Sequence, residues 1–193
     1  MGNLTDHFSG SGGGSNILEE LIGVCDGGSA TVSSGTYTFQ NVTGITGLST
    51  GNVTIPGSEI SYTPPAGATR IMYSFEFKIE QISYSGISHY KLLVDNTEVT
   101  SAYRDFAFAY TSTEHSSDLF RMHFVFDLTA ASDNIATGKF NGWDSAKTIK
   151  VTGREYDGNT YQVNVNANHY RDGGGASGIY ELARPILTIK AYK

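Results

Sequence analysis

The chain has 193 residues, with 19 Asp and Glu against 13 Lys and Arg, a formal net charge of −6 and one cysteine, Cys25. At roughly 100–200 residues per domain, this length is one domain, or one domain with a tail, and it can bury a core without staples. One cysteine excludes an intrachain disulfide, and scattered cations in acidic excess exclude the basic cluster with which a nucleic-acid binder displaces counterions.

Residues 1–6 show no charged segment followed by an apolar run, and no apolar stretch approaches the ~20 residues of a membrane helix. The expectation is therefore a chain without a secretory leader and without membrane insertion. Met1-Gly2 resembles the start of an acylation motif, but Asp6 stands where Ser or Thr is needed. Tyr, Phe, Thr, Val and Ile are plentiful and glycines punctuate them, which suits a pleated, half-buried surface. Charged residues are only 17% of the chain, which points to surface covered in an assembly.

Residues 1–16 read as a flexible docking arm. Ser9 to Ser15 has linker composition, and Leu4 and Phe8 are apolar residues in an otherwise polar stretch. Such a segment is either an unstructured tail or a peg that orders on another protein. The body, residues 17–193, reads as a series of strands. Residues 17–26 fit a first strand better than a helical turn, because they are short and run into glycines. Residues 30–39 form a second piece. Residues 60–63 lead into Pro64-Pro65-Ala66-Gly67, a loop signal.

The clearest strand is Arg70–Gln81. Ile71, Tyr73, Phe75, Phe77 and Ile79 fall on one face, and Met72, Ser74, Glu76, Lys78 and Glu80 on the other. Ile87–Val94 follows, and Asp95-Asn96 turns it back through Glu98-Val99 as a hairpin. Residues 103–110 and 119–128 alternate in the same way. Residues 148–156 run to Asp157-Gly158-Asn159, a strong hairpin signal, with 161–170 as the expected return strand. A glycine loop at 173–175 precedes a last strand over 185–192. About eight to ten short strands with turns between them predict an all-β fold, an antiparallel β-sandwich of jelly-roll-like type.

No reaction motif stands out. A phosphate loop, a Gly-x-Ser-x-Gly elbow and a His-Glu-x-x-His pair are all lacking. His7, His89, His115, His123 and His169 are scattered without ligand spacing. Glycosidase chemistry needs two carboxylates facing across a cleft. Glu76 and Glu80, with Lys78 between them, read instead as a solvated row, and Glu155 and Asp157 as solvated residues beside a turn. Asp95, Asn96, Asp127, Asp133, Asn134, Asp157 and Asn159 could supply oxygens to calcium, but each reads first as a turn former. The expectation is no catalytic residue, no metal and no cofactor. A glycan platform would use Trp143, the sole tryptophan, or Tyr84, Tyr161 and Tyr170. Three Asn-x-Ser/Thr sequons, at Asn3, Asn41 and Asn52, read as chance in a Thr-rich chain.

Several segments taken together carry a resemblance. They are residues 60–65 running into Arg70–Gln81, then Ile87-Ser88-His89-Tyr90-Lys91-Leu92 and Val94-Asp95-Asn96-Thr97-Glu98-Val99-Thr100. Later come Ala136-Thr137-Gly138, Trp143 to Thr148, Arg154-Glu155-Tyr156 and His169-Tyr170-Arg171-Asp172-Gly173. Their order and wording resemble virion-associated structural proteins of marine tailed bacteriophages, cyanophage-like and of jelly-roll type, over about residues 56–193. The resemblance implies a β-sandwich particle protein, oligomeric and displayed on a capsid or tail. The expectation is a homotrimer assembled in the host cytoplasm into virions, as a capsid decoration or a fibre knob. Its arm would dock through Leu4 and Phe8 on other virion proteins. A host-glycan-binding domain and a jelly-roll polysaccharide-degrading enzyme are the alternatives.

Overall fold

The computed structural model describes residues 16–81, 85–109, 116–158, 160–170 and 179–193. Strand β1 (Ile17–Val24) is followed by a small hairpin, β2 (Ser29–Val32) and β3 (Gly35–Thr38), and by the short pieces β4 (Thr46–Gly47), β5 (Val53–Thr54) and β6 (Ile60–Tyr62). The long strands are β7 (Arg70–Gln81), β8 (Ile87–Val94), β9 (Thr97–Ala107) and β10 (Ser116–Asp127). A side excursion then holds β11 (Thr129–Asn134), a single 3-10 turn at Ile135–Thr137 and β12 (Lys139–Asn141). The chain finishes with β13 (Lys147–Glu155), β14 (Val163–Val165), β15 (Ala167–Tyr170), β16 (Ile179–Leu182) and β17 (Ile186–Tyr192).

These strands build an all-β sandwich. One sheet runs β1-β17-β7-β10-β12-β11, with β14 taking over from β17 along the far end of β7 and β4 beside β14. The other runs β5-β13-β8-β9, with β6 also on β13. Ladders are antiparallel throughout, save one parallel contact of Asp127 with Lys139. The period-two pattern of β7 sends Ile71, Tyr73, Phe75, Phe77 and Ile79 into the core, as expected. They meet Tyr90, Leu92 and Val94 of β8 and Ile149 and Val151 of β13, all fully buried. Rings lock the sheets together: Tyr90 lies 4.3 Å from Phe120 and 5.5 Å, edge-on, from Phe77. Each such aromatic pair adds about 0.5–1.5 kcal/mol beyond the area it buries. A polar bridge crosses the same space, with Tyr73 Oη donating to Ser58 O at 2.6 Å and Val151 N donating to Ser58 Oγ at 3.1 Å.

The expected tight turn between β8 and β9 is present. Asp95 and Asn96 both have positive φ, 48° and 66°, as a type I′ turn demands and as Asn and Asp tolerate best. Other expectations are corrected. Residues 30–39 are not one strand but the β2–β3 hairpin, turning at Ser33-Ser34. Its turn is gripped by the buried carboxylate of Glu19 on β1, which accepts hydrogen bonds from both serine hydroxyls at 2.6 Å, from Ser34 N at 3.0 Å and from Tyr62 Oη at 2.6 Å.

The segment around Asp157-Gly158 does not make a hairpin. β13 stays in the five-stranded sheet, whereas β14 pairs with β7 and β4 in the eight-stranded one. At the end of β13, Glu155 N bonds Ser49 O, and just past it Tyr156 N bonds Ile87 O, so other partners occupy the edge a returning strand would need. The expected strand 161–170 is likewise split. Asn166 takes φ 59° and ends β14, so that β15 leaves to pair with β16. At the start of the body, Lys193 N donates to Asn16 O, which closes β1 against the C-terminal strand. Leu4 and Phe8 lie outside the described residues.

Candidate functional site

The outer face of the five-stranded sheet is shaped by one irregularity. Alternation on β8 turns Ser88, Tyr90 and Leu92 inward and His89 and Lys91 outward. Opposite them the ladder slips: Tyr90 pairs with Arg104 and Leu92 with Val99, so Thr100, Ser101, Ala102 and Tyr103 face the single residue Lys91. Bulges re-aim side chains in this way, and they gather near functional sites. The bulge is braced from behind by Thr100 Oγ1 donating to Ala136 O at 3.2 Å.

Tyr103 is thereby laid against His89 and Lys91. Its ring stands edge-on to His89 at 5.2 Å, with Lys91 Nζ 5.4 Å from its centroid. Glu98 accepts from Lys91 Nζ at 2.7 Å and from the Tyr103 hydroxyl. These two bonds hold the Glu98 carboxyl below its ordinary range, and the same bond raises the phenol of Tyr103. His89 Nδ1 lies 2.6 Å from Asp105 Oδ1, which fixes the imidazole plane.

From the other side, β13 pairs with β8 so that Arg154 sits beside His89. Its guanidinium has no hydrogen bond or ion pair among the described residues. Tyr156, just past the end of β13, is 64% exposed and stands edge-on to Tyr161 at 5.7 Å. Together these side chains line a recess of about 310 Å³, the size of a small-ligand pocket. It offers two tyrosine rings, an imidazole–carboxylate pair and an unpaired guanidinium. That mixture of aromatic surface and fixed hydrogen-bonding groups is what a polar, ring-shaped ligand requires.

The residues expected from sequence fall in different places. Trp143 is no platform: it is 4% exposed, packed on Phe140 at 4.8 Å and Phe126 at 5.7 Å, with Nε1 donating to Tyr62 O at 3.1 Å. A large ring next to Gly142 was free to point either way, and the β11–β12 excursion closes over it. Tyr161 is half-buried and braces Tyr156 at the rim of the recess. Tyr84 lies outside the described residues, and Tyr170 ends β15 with its side chain likewise outside them.

The carboxylates are also rearranged. Glu76 sits on the outer face of the eight-stranded sheet, 2.9 Å from Arg121. Glu80, expected in the same solvated row, is fully buried where β14 and β15 cross the end of β7, with Asn164 Nδ2 donating to it at 3.2 Å and His169 Nδ1 3.5 Å away. Glu155, expected to be solvated, is also buried. It accepts from Val163 N at 3.3 Å, and burial, with Asp157 nearby, raises its pKa despite that bond. Glu76 and Glu155 thus belong to opposite sheets and to different sides of them, and no cleft sets them face to face.

The oxygens considered for calcium serve the backbone. Asp95 accepts from Thr148 N at 2.8 Å, Asp127 from Thr129 N at 2.9 Å, and Asp133 from Asn141 N at 2.7 Å. No group of three or more His, Cys, Asp or Glu side chains suited to a metal occurs among the described residues. Cys25 is buried with its thiol pushed up to about 12 by desolvation, and it donates to Gly57 O at 3.3 Å, which leaves it inert. His123 lies on the outer face of the eight-stranded sheet, and His7 and His115 lie outside the described residues. No helix among the described residues is long and apolar enough to cross a membrane.

Sequence reasoning missed His89, Tyr103, Asp105, Arg154 and Tyr156 as one site. Alternation on β8 already marked His89 and Lys91 as outward. The bulge that brings Tyr103 to them has no glycine or proline to announce it. No protein-family model matches the chain, and no curated protein matches it. Among solved structures it is similar to the EclA C-terminal domain, a sugar-binding protein, at 12% identity and a TM-score of 0.28, over 61% of this chain and 74% of that one. At that distance nothing of that protein's site transfers.

Proposed function

We propose that this chain is a binding and display domain of a bacteriophage particle, and that the recess between β8, β9 and β13 holds a saccharide. The observation that supports the binding role is the bulge-built recess itself, where exposed Tyr156 offers a ring face and His89, Asp105 and Arg154 offer fixed polar groups. The resemblance over residues 56–193 supports the virion setting, as a capsid decoration or a fibre knob. A glycan array tests the binding. Wild type is expected to retain a saccharide, and Tyr156→Ala to weaken it about tenfold, at about 1–3 kcal/mol for a stacking ring. An array that stays blank, or one that Tyr156→Ala leaves unchanged, rejects the reading.

Assembly has its own support. The ladder registers place Val24, Ile186, Glu76 and Arg121 in one row across the outer face of the eight-stranded sheet, and Glu20, Lys190, Met72 and Val125 in another. Ile22, Val24, Ile186, Leu119 and Val125 are all exposed there, an apolar surface of the kind that homo-oligomers cover. A trimer built on this face, tethered to the particle by the arm through Leu4 and Phe8, gains avidity from linked weak contacts. Sedimentation of the full chain is expected to give a trimer mass, and Ile22→Asp with Val125→Asp a folded monomer. A wild-type monomer at high concentration contradicts this part of the proposal.

A further inference from the structure

We infer that the recess selects a carboxylated sugar, a uronate or sialate residue, which the Arg154 guanidinium pairs with while the Tyr156 ring carries the sugar face. This rests on the saccharide reading above and gives it a substrate class.

The inference comes from the charge inventory of the recess. Lys91 is satisfied by Glu98 at 2.7 Å, and His89 is held by Asp105 at 2.6 Å. Arg154, half-buried between them and Tyr156, has no acceptor among the described residues. Its neighbour Glu155 cannot supply one, because that carboxylate is on the inner side of the sheet and accepts from Val163 N. A guanidinium is a planar fork of donors, matched to the two oxygens of a carboxylate. The chain's net charge of −6 does not prevent this, since charges beyond about 10 Å are screened at 0.1 M salt. Tyr156, braced edge-on by Tyr161, presents a ring face on the same rim as the guanidinium. A pyranose stacked there can turn its carboxylate toward Arg154. A flat sugar with no charge would leave the guanidinium desolvated and unpaired, which is the basis of discrimination.

The test is an array of uronate- and sialate-bearing oligosaccharides, each printed as free acid and as methyl ester, beside neutral, sulfated and phosphorylated glycans. The ester removes the charge and keeps the ring. Full-length wild type is expected to prefer a free acid over its ester by at least tenfold. Arg154→Gln is expected to bring that ratio near one, and Arg154→Lys to leave it in between. Tyr156→Ala should weaken acid and ester alike. Thermal melts confirm that each variant is folded. Equal retention of acid and ester, or a preference that Arg154→Gln leaves intact, overturns the inference, as does an Arg154-dependent preference for sulfate or phosphate. Retention of neutral glycans alone overturns it too and leaves the saccharide reading standing. Retention of nothing fails that reading, and this inference with it.

Discussion

Trp143→Ala is expected to destabilise the domain by about 3–5 kcal/mol, the cost of replacing a buried tryptophan by a methyl group. The indole fills the space between Phe126, Phe140 and the carbonyl of Tyr62, with Lys147 Nζ 5.8 Å from its centroid. Removing it opens a cavity and takes the indole N–H from Tyr62 O. Against a total stability of about 5–15 kcal/mol, that is a large fraction, and for a chain of this length the melting temperature should fall by about 6–20 °C. Trp143→Phe keeps most of the packing and loses the N–H, so its cost should be about 1–3 kcal/mol. Whatever protein remains folded should bind ligand as wild type does, because the ring does not line the recess. Urea unfolding alongside a binding isotherm separates the two effects. A stable Trp143→Ala protein with lost binding would return the tryptophan to the surface.

The second large effect belongs to Glu19. Its buried carboxylate collects four donors, and through them β1 grips the β2–β3 hairpin and β6. Burial pushes the pKa up, but the bonds from Ser33, Ser34 and Tyr62 outweigh it, and the net direction is down. A carboxylate whose folded pKa lies below its unfolded value stabilises the fold above the unfolded value, near 4.5, and loses that contribution as pH falls through the folded one. Glu19→Gln turns two acceptor oxygens into one and sets an amide against hydroxyl donors. It is expected to cost about 2–4 kcal/mol at pH 7. The gap between variant and wild type should close as the pH falls from the unfolded value through the lower folded one. Denaturant midpoints at pH 7 and pH 3 check the sign. A gap that widens in acid would mean that the carboxylate is not ionised in the fold.

These two residues also show where sequence and structure part. Alternation was legible wherever a strand was long and one-sided, as in β7, and Asp95-Asn96 announced its turn because only a few residues accept two consecutive positive φ values. Asp157-Gly158 carried equally good turn chemistry and misled, since a turn reverses the chain without choosing the sheet it returns to. The choice was made by Ser49 and Ile87, more than 60 residues away in sequence, which had already taken the edge of β13. Glu19 and Glu20 look alike in the sequence, yet one faces the core and the other meets Lys190 in solvent at 2.9 Å. Only the strand's phase, and the serines and tyrosine that surround one of them, tell the two apart. Glu80 and Glu155 continue polar or turn-like patterns and are buried by distant segments: β14 and β15 cover Glu80, and β14 of the opposite sheet meets Glu155.

The candidate site was the least legible part. Its residues come from three strands, and its shape depends on a bulge where β9 spends four residues opposite one. No local preference encodes that mismatch. It follows from packing Ala102 inward while Thr100 reaches the 3-10 turn after β11.

Amide chemical-shift mapping during titration with an array-selected saccharide tests the binding site most directly. Perturbations are expected to cluster at Ser88 to Lys91, Tyr103 to Asp105 and Arg154 to Tyr156. Shifts confined to the outer face of the eight-stranded sheet, around Ile22 and Val125, with the recess silent, would contradict the account.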